Sequence, residues 1–495
     1  MIPDRTFLLV SIGRARRACR LVSVCLTLGV SLFLSGCALA PEYTRPAAPI
    51  PAEWPSGIAY EEGRASPDAP VAPDLSWREF FTDEMMQQVI DMALTNNLDL
   101  RLAALNVELA RAIYGIQRAE LYPSVYATAG GGKQRSSADL TQPGQPQTTE
   151  RYDVNLGVLS WEIDFFGRIR SLRDSALEEY LATDEARRSV QIMLVSAVAN
   201  AYLTLAADRQ SLALAEHTLE TQQDAYDLVR RQAALGVANE LDLRQAQTPV
   251  DLARRNIAIY TQAVAQDQNA LNLLVGAPVP GELLPADLDR VSPPREVSPG
   301  LHSDILLGRP DVLQAEHMLK AANADIGAAR AAFFPRISLT TILGTASDDL
   351  SGLFKSGTKT WSFAPEIVMP IFDARTWSAL DASKAQREIV LTQYEKAIQV
   401  AFREVADALA VCGTVNQQVA AQESLVDTLA ETHRLSALRF EEGIDSYLGV
   451  LFAQRSLFAS QQVLVSLHLA RIASQVRLYA VLGGGDESPE HVAQK

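Results

Sequence analysis

The feature that most constrains this chain is a long helical sequence that follows a short β-strand pattern without a break. From Arg168 to Leu235 the sequence contains neither proline nor glycine, and its periodicity is helical. At 1.5 Å per residue, this run predicts a rod of roughly 100 Å. Directly before it, one face of a predicted strand is formed by Tyr152, Val154, Leu156 and Val158, and the other by Asp153, Asn155 and Gly157. A compact domain does not accommodate this combination, whereas a membrane barrel that continues into a helical tunnel does.

The first 36 residues have the pattern of an export signal. A basic region is followed by an apolar run from Leu21 to Leu34, which is too short for a comfortable membrane span. The next residues, through Cys37, resemble a bacterial lipobox, which implies cleavage before Cys37 and a diacylglycerol and an N-acyl chain on that residue. Ala38 follows, and the resemblance therefore implies transfer to the outer membrane. The alternative is an ordinary signal peptide with an incidental cysteine.

Net charge and cysteine content limit the possible binding partners and the possible covalent cross-links. The leader carries five Arg and one Asp, so the mature chain has a formal net charge of −19 against −15 for the full sequence. Such an acidic exported protein is a poor nucleic-acid binder. Acidic residues could line a lumen and favour cations, or simply form a solvated surface. After loss of the leader and lipidation of Cys37, Cys412 stands alone, so no intramolecular disulfide is expected.

Motifs typical of enzymes are absent from the sequence. It contains no Walker A motif, no dinucleotide glycine fingerprint, no His-Glu-x-x-His and no Gly-x-Ser-x-Gly. We therefore expect no enzymatic activity, no metal and no cofactor other than the covalent lipid.

An internal repeat organises the mature chain. Tyr122-Pro123 corresponds to Phe334-Pro335, Gly236-Val237 to Gly443-Ile444, and Ala246-Gln247 to Ala453-Gln454, with an offset that drifts only from 212 to about 207. The predicted boundaries are a signal peptide at 1–36, an extended N-terminal segment at 37–76, a first copy at 77–276, a linker at 277–300, a second copy at 301–483 and a C-terminal tail at 484–495.

Each copy is predicted to contain a helix, two strands, a very long helix and a shorter returning helix. In the first copy the opening helix is expected from Asp83 to Leu121. The other elements predicted for the first copy are strands at about 122–132 and 151–163 and helices at 168–235 and 238–275. Those predicted for the second copy, after its opening helix, are strands at about 335–345 and 358–370 and helices at 375–442 and 444–482. The helix–strand junctions are assigned to Pro123, Pro335, Pro370 and Gly167.

Four strands cannot close a membrane barrel, because an open edge in lipid leaves backbone groups unsatisfied. Two copies of the chain would give an eight-stranded barrel, and side chains alone would nearly fill its interior. Three copies would give a twelve-stranded barrel with a water-filled passage. The predicted fold is therefore mainly α with a transmembrane β-barrel. The alternatives are the edge of a soluble sandwich and, for the helices, a solid coiled-coil stalk.

Together these features resemble the TolC-like outer membrane efflux protein family, in its lipoprotein branch of the NodT and OprM type. The segments that carry the resemblance are Leu34–Cys37, Trp161–Arg168 (WEIDFFGR), Arg309–Val312 with Ala315 and Glu316, and Arg439–Gln454 (RFEEGIDSYLGVLFAQ). The resemblance implies a homotrimer with a twelve-stranded β-barrel and a twelve-helix periplasmic α-barrel. It also implies a periplasmic adaptor (membrane fusion) protein and an inner-membrane RND pump as partners. The expected function is efflux of small molecules; export of polypeptides by type I secretion and a non-conducting envelope scaffold remain alternatives.

The resemblance also implies roles for two helical turns. Gly236, Val237, Gly443 and Ile444 match the tips that adaptor hairpins engage. Asp445 and Leu448 match positions that narrow the closed pore. Phe452 stands where the family often has an acid, so we expect either a ring of phenylalanines that closes by excluding water or simple helix packing.

Overall fold

A computed structural model of the protein describes residues 39–61, 69–300 and 302–485. The predicted signal peptide, Cys37 and residues 486–495 of the predicted tail lie outside these residues. The described chain divides into two compact units. Unit 1 comprises residues up to 46, 108–181 and 316–392, and unit 2 comprises 47–107, 182–315 and the residues from 393 onward.

The elements follow one another in an order that occurs twice, namely helix, two strands, a very long helix and a shorter helix. The α-helices are α1 (Trp77–Phe80), α2 (Glu84–Asn96), α3 (Leu98–Ala119), α4 (Arg168–Ala234), α5 (Glu240–Val275), α6 (Pro310–Ala331), α7 (Ala374–Glu441) and α8 (Tyr447–Val481). The strands are β1 (Val125–Arg135), β2 (Thr148–Ile163), β3 (Arg336–Ser347) and β4 (Lys359–Val368). Short 3-10 turns lie at Ile58–Tyr60, Ala72–Asp74, Ala138–Leu140, Gly281–Leu283, Ser303–Gly308 and Leu350–Gly352.

The long helices α4 and α7 begin and end within one residue of their predicted positions, and the strand ends differ from the predicted ends by no more than three residues. Their lack of internal proline explains this agreement, because nothing in either sequence interrupts the backbone hydrogen bonds. By length and composition, α4 contains one window apolar enough to cross a membrane. That window is 56% buried inside the protein, as in a core helix.

The single opening helix predicted from Asp83 to Leu121 is wrong, because the chain breaks at Asn97. The backbone of Asn97 is extended, and its side-chain oxygen accepts a hydrogen bond from the Leu100 amide (2.8 Å). Its side-chain nitrogen donates to the Leu274 carbonyl at 2.8 Å. Asn97 therefore caps α3 and contacts the end of α5, a combination that helical periodicity alone does not reveal.

Unit 1 contains one antiparallel sheet with the order β1-β2-β3-β4. Strands β1 and β4 form its two edges, and within the described chain each pairs with one neighbour only. Consecutive strands lie next to each other in the sheet, although about 170 residues of chain separate β2 from β3. Each edge consequently presents a row of backbone donors and acceptors to whatever lies beside it.

Unit 2 contains a cluster of packed aromatic side chains at Phe80, Phe81 and Tyr479. Phe80 stacks on Tyr479 with ring centroids 3.9 Å apart, and the Tyr479 hydroxyl donates to the Leu75 carbonyl at 2.6 Å. The segment predicted as a linker at 277–300 contributes to this region, since the Arg295 amide donates to the Phe80 carbonyl and Ser298 bridges to Val71. This segment is therefore fixed to the helical core.

The N-terminal segment has little regular structure, as its composition predicts, but it packs against the helices. In unit 2, Trp54 stacks on Phe402 of α7 with centroids 5.5 Å apart, and its indole nitrogen donates to the Gly300 carbonyl. The Ser303 hydroxyl donates to the Pro51 carbonyl at 2.6 Å. Around Pro51 and Trp54 the segment is thus held by Phe402 and Ser303 of the second copy and by the Gly300 carbonyl.

Candidate functional site

One face of the sheet carries a band of apolar side chains, interrupted by Thr341 and Thr345 of β3 and bordered by charged residues near the strand ends. Residues directly opposite each other in an antiparallel pair point to the same face. The strand register therefore aligns Val125, Ala127 and Ala129 of β1, Val154, Leu156 and Val158 of β2, Leu339 and Leu343 of β3, and Trp361, Phe363 and Ile367 of β4. The largest of these side chains are exposed on the single chain. Such a surface is typical of strands that face lipid.

A β-bulge keeps this face continuous through the end of β2. Between Val158 and Trp161 the register shifts, so that three steps along β2 match two steps along β3. Within the bulge, Ser160 has a φ of 61°, and its amide donates to the Thr340 hydroxyl at 3.2 Å. The extra residue returns Trp161 to the apolar face; strict counting by two would place it on the polar face.

The opposite face carries polar and small residues. Asp153 and Asn155 of β2 lie there and share a hydrogen bond of 2.6 Å, and Ser338, Thr340 and Ser362 lie on the same side. Gly157 is required for close approach, because a Cβ there would lie 2.2 Å from the Thr341 carbonyl oxygen. The sheet therefore presents two sides of opposite polarity.

The WEIDFFGR segment forms the joint between β2 and α4. The guanidinium of Arg168 donates two hydrogen bonds of 2.9 Å to Glu162, and Arg336 of β3 donates to the same carboxylate at 2.7 Å. Asp164 accepts from the backbone and side chain of Arg170, which satisfies an amide at the start of α4. Gly167 lies between these pairs with a φ of 76°.

The predicted junction prolines all lie between helices and strands. Pro123 follows α3 and precedes β1, Pro335 separates α6 from β3, and Pro370 lies between β4 and α7. Phe334, which precedes Pro335, stacks on Phe166 with ring centroids 4.8 Å apart. The joints that begin β3 and α4 are therefore packed against each other within unit 1.

The two predicted tips have the same backbone geometry. Gly236 and Gly443 are left-handed, with φ values of 74° and 69°. The amide that follows each glycine, at Val237 and at Ile444, donates to the carbonyl five residues earlier at 2.9 Å. This is the Schellman arrangement, in which glycine avoids the steric cost that a Cβ brings to left-handed backbone. Val237 and Ile444 are 76% and 62% exposed.

Different side chains stabilise the two turns. At the first turn, Asn239 and Asp242 form a capping box at the start of α5. At the second, Asp445 bonds to Arg439 across the turn, with a shortest distance of 2.5 Å. The hydrogen bond from Arg439 holds the pKa of Asp445 below its ordinary value. Asp445 is therefore ionised and held at neutral pH.

Leu448 and Phe452 lie one turn apart on the same face of α8, next to Asp445. They are 41% and 59% exposed, although neighbouring Leu451 is buried. Phe452 is therefore not part of the packing core of its own chain. The structure brings all three predicted gate residues to one end of α8 and leaves their side chains accessible.

The Arg-Pro-Asp-Val motif connects three helices within unit 2. Arg309 is buried and donates to Asp311 at 2.7 Å, to Glu404 of α7 at 2.9 Å and to the Val481 carbonyl at 2.6 Å. Its role was not predicted from the sequence, although the motif itself was recognised.

A second feature missed from the sequence is a pair of carboxyl groups between α4 and α5. Burial of Asp267, together with hydrogen bonding to Asp208 and the Asp208 charge, raises the pKa of Asp267 to about 6. Within the described chain, no group of three or more His, Cys, Asp or Glu residues could hold a metal ion.

Comparisons with known proteins agree with this geometry. The sequence model described as Outer membrane efflux protein matches residues 89–277 and 301–484. The toluene efflux pump outer membrane protein TtgC of Pseudomonas putida is 48% identical over 465 residues, which cover 93% of this chain and 95% of that protein. Outer membrane protein OprJ of Pseudomonas aeruginosa is 40% identical over 458 residues, covering 92% of this chain and 94% of OprJ.

Solved structures show the same fold. A membrane protein from Pseudomonas aeruginosa superposes with a TM-score of 0.85 at 40% identity, covering 92% of this chain and all of that chain. The open state of the MtrE outer membrane channel of Neisseria gonorrhoeae gives a TM-score of 0.82 at 35% identity, covering 91% and 98% of the two chains.

The fold and the two-sided sheet define a channel protein of the outer membrane, mainly helical with a small β-sheet. More specifically, the chain belongs to the outer membrane efflux protein family.

Proposed function

We propose that this protein is the outer membrane channel of a tripartite, RND-type efflux system, and that it conducts small toxic molecules from the periplasm to the exterior. Relatives described as toluene and antibiotic efflux pump outer membrane proteins support this substrate class. The observation that carries the proposal is the apolar band on one face of the sheet, because it gives four strands a side for lipid and a side for water.

The working assembly is a homotrimer with a twelve-stranded β-barrel and a twelve-helix α-barrel, and the two halves of each chain are internal copies. The open edges at β1 and β4 support this, because edge β1 of one copy can pair with edge β4 of the next until the barrel closes. A stripe on α3 is also exposed at helical spacing and is available for contact with a neighbouring copy: Leu98, Leu102, Leu105, Leu109, Ile113 and Ile116.

The turns at Gly236-Val237 and Gly443-Ile444 are proposed as the docking sites for the periplasmic adaptor. Each presents one exposed hydrophobic side chain on a rigid turn, which suits packing against a helical hairpin. Asp445, Leu448 and Phe452 are proposed as the constriction. With Asp445 held by Arg439, the apolar pair supplies the barrier to water and ions. A lipid on Cys37 anchors the N-terminus in the outer membrane.

Two adjacent arginine substitutions test the lipid-facing assignment and the function together. Arginine at the bilayer midplane costs about 2–4 kcal/mol, so Phe363→Arg should reduce the amount of trimer in the outer membrane. Ser362→Arg, on the polar face, is the matched control and should assemble normally. Both are scored by trimer content and by survival in toluene of a strain that lacks its own channel. Equal assembly of the two variants, or no protection by the wild-type chain, would contradict the proposal.

A further inference from the structure

We propose that a polar stripe on α6 is a docking site for the chain's own N-terminal strap, defined here as residues 39–45. By binding the strap in one register, α6 holds Leu39, the first described residue of the chain, near the start of β3. The docking itself depends only on contacts within unit 1; the statement about the lipid rests on the proposed acylation of Cys37.

Glu316 anchors one end of the strap. Its side chain is only 3% exposed, and it accepts a hydrogen bond from Tyr43 (3.1 Å) and a bidentate pair from Arg45. Lys320, one turn further along α6, lies 3.3 Å from the same carboxylate. Burial raises the pKa of Glu316, but the hydrogen bond from Arg45 and the charges of Lys320 and Arg45 outweigh that effect and keep it below its ordinary value. A buried carboxylate of this kind needs its cationic partners.

Two further side chains of α6 bind the strap through its backbone. Asn323 donates to the carbonyl of Pro41 at 2.7 Å, and Arg330 donates to the carbonyl of Leu39 at 3.0 Å. Between them, Gly327 leaves room for the strap, since a Cβ at Gly327 would lie 2.8 Å from the amide nitrogen of Ala40. The hydrogen bonds to two backbone carbonyls and the close approach at Gly327 together form a groove that fits the strap.

The contacts run in strict order, with the strap antiparallel to α6. Arg45 contacts Glu316, Pro41 contacts Asn323 and Leu39 contacts Arg330. From Glu316 to Arg330 the helix rises about 21 Å at 1.5 Å per residue. From Arg45 to Leu39 an extended chain covers about 20 Å at 3.3 Å per residue. The two lengths match, so the strap is taut and cannot slide by a residue without breaking all three contacts.

The described strap ends at the sheet end of α6. Arg330, which binds the Leu39 carbonyl, is the second-last residue of α6, and β3 begins at Arg336. Cys37 precedes Leu39 by two residues in the sequence, so the lipid proposed on Cys37 is attached close in sequence to this contact.

Limited proteolysis of the purified full-length protein tests the docking. Chymotrypsin cleaves after Tyr43, and it requires the strap to leave the groove. The variant Arg45→Ala changes only the strap and leaves Lys320 beside Glu316; a circular dichroism spectrum and melting temperature like those of the wild type show that the helices keep their fold. We expect roughly tenfold or faster release of the 37–43 fragment, because a charge-assisted hydrogen bond is lost. Asn323→Ala should also accelerate release, whereas Met318→Ala, at an exposed position on the same helix, should leave the rate unchanged.

Cleavage of the wild-type strap as fast as that of Arg45→Ala would overturn the proposal. The Cys37→Ser protein separates docking from lipidation: protection of Tyr43 in that protein supports binding by α6, and loss of protection while the helices remain folded overturns it. The mass of the released wild-type fragment reports the acyl chains independently. A protected strap without acyl mass would overturn the lipid anchor and leave the docking site standing.

Discussion

At the scale of single residues, the side chains proposed as the constriction owe their arrangement to helical spacing and to one contact across a turn. Leu448 and Phe452 are four residues apart, so any helix brings them to one face. The ion pair between Asp445 and Arg439 spans a turn that contains the left-handed Gly443. Spacing therefore accounts for the shared face of Leu448 and Phe452, the ion pair required coordinates, and the role of the three residues as a gate stays a prediction.

The exposed apolar pair on α8 leads to a prediction about conductance. Leu448→Ser with Phe452→Ser should raise the basal current of reconstituted trimers several-fold, because water and ions then meet a polar constriction. Planar-bilayer recordings at neutral pH measure this. Leu241→Ser, at the corresponding exposed position of the first turn, is the matched control and should leave the current near the wild-type level. An unchanged current in the double variant would place the barrier elsewhere.

Ser160 leads to a second prediction, because it holds left-handed backbone without being glycine. Ser160→Gly should stabilise the assembled protein by about 1 kcal/mol, whereas Ser160→Val should destabilise it by a similar or larger amount. Heat-induced loss of trimers, followed on gels, measures both. A less stable glycine variant would contradict this account, because glycine keeps the backbone amide that donates to Thr340 and removes only the steric cost of the Cβ.

At the scale of elements, periodicity predicted what depends on local sequence. Helices α4 and α7 were predicted almost to the residue, since neither contains proline. The break at Asn97 was missed, because Asn97 is stabilised by a carbonyl of α5 that is distant in sequence. The bulge at Ser160 was missed for a related reason: it is defined by the register against β3. The strap was expected to be extended, but its binding groove depends on side chains almost 300 residues away.

The carboxyl pair between α4 and α5 predicts a pH dependence. Burial raises the pKa of Asp267 to about 6, above its ordinary value of 3.8, with further contributions from Asp208. The fold thus favours the protonated acid. The associated stability is complete below about 3.8 and is lost as the pH rises through about 6.

The variant Asp267→Asn mimics the protonated form. Its melting temperature in detergent, followed by circular dichroism, should exceed that of the wild type above pH 6 and approach it near pH 4. Asp251→Asn, an exposed position on α5, should follow the wild-type profile. Parallel profiles for Asp267→Asn and the wild type would contradict this account.

At the scale of the whole molecule, the proposed trimer accounts for what the described chain leaves open. Within the described residues the sheet has two open edges and an exposed apolar band, which neighbouring chains and lipid would cover in the proposed assembly. The family was accessible from the sequence, whereas the assembly of several copies, which follows from a count of four strands, stays a prediction. The contacts of the strap and the sharing of one carboxylate by Arg168 and Arg336 required coordinates.

The apolar band of the sheet also predicts that the lipid proposed on Cys37 is not the main source of membrane affinity. Cys37→Ser should abolish acylation and leave trimers in the outer membrane fraction, because the closed barrel anchors itself. Mass spectrometry of the N-terminus and the trimer content of membranes measure the two effects. Trimers that disappear together with the lipid would contradict this expectation.

The bulge in β2 determines where this strand can lose a residue. The strand holds one residue more than its pairing with β3 needs. Deletion of Ser160 would remove the bulge, and every neighbouring side chain of β2 would keep its orientation. Deletion elsewhere in β2 would exchange the lipid-facing and water-facing sides of the rest of the strand. Ser160 is therefore the position in β2 at which one residue can be removed without exchanging the two faces of the strand.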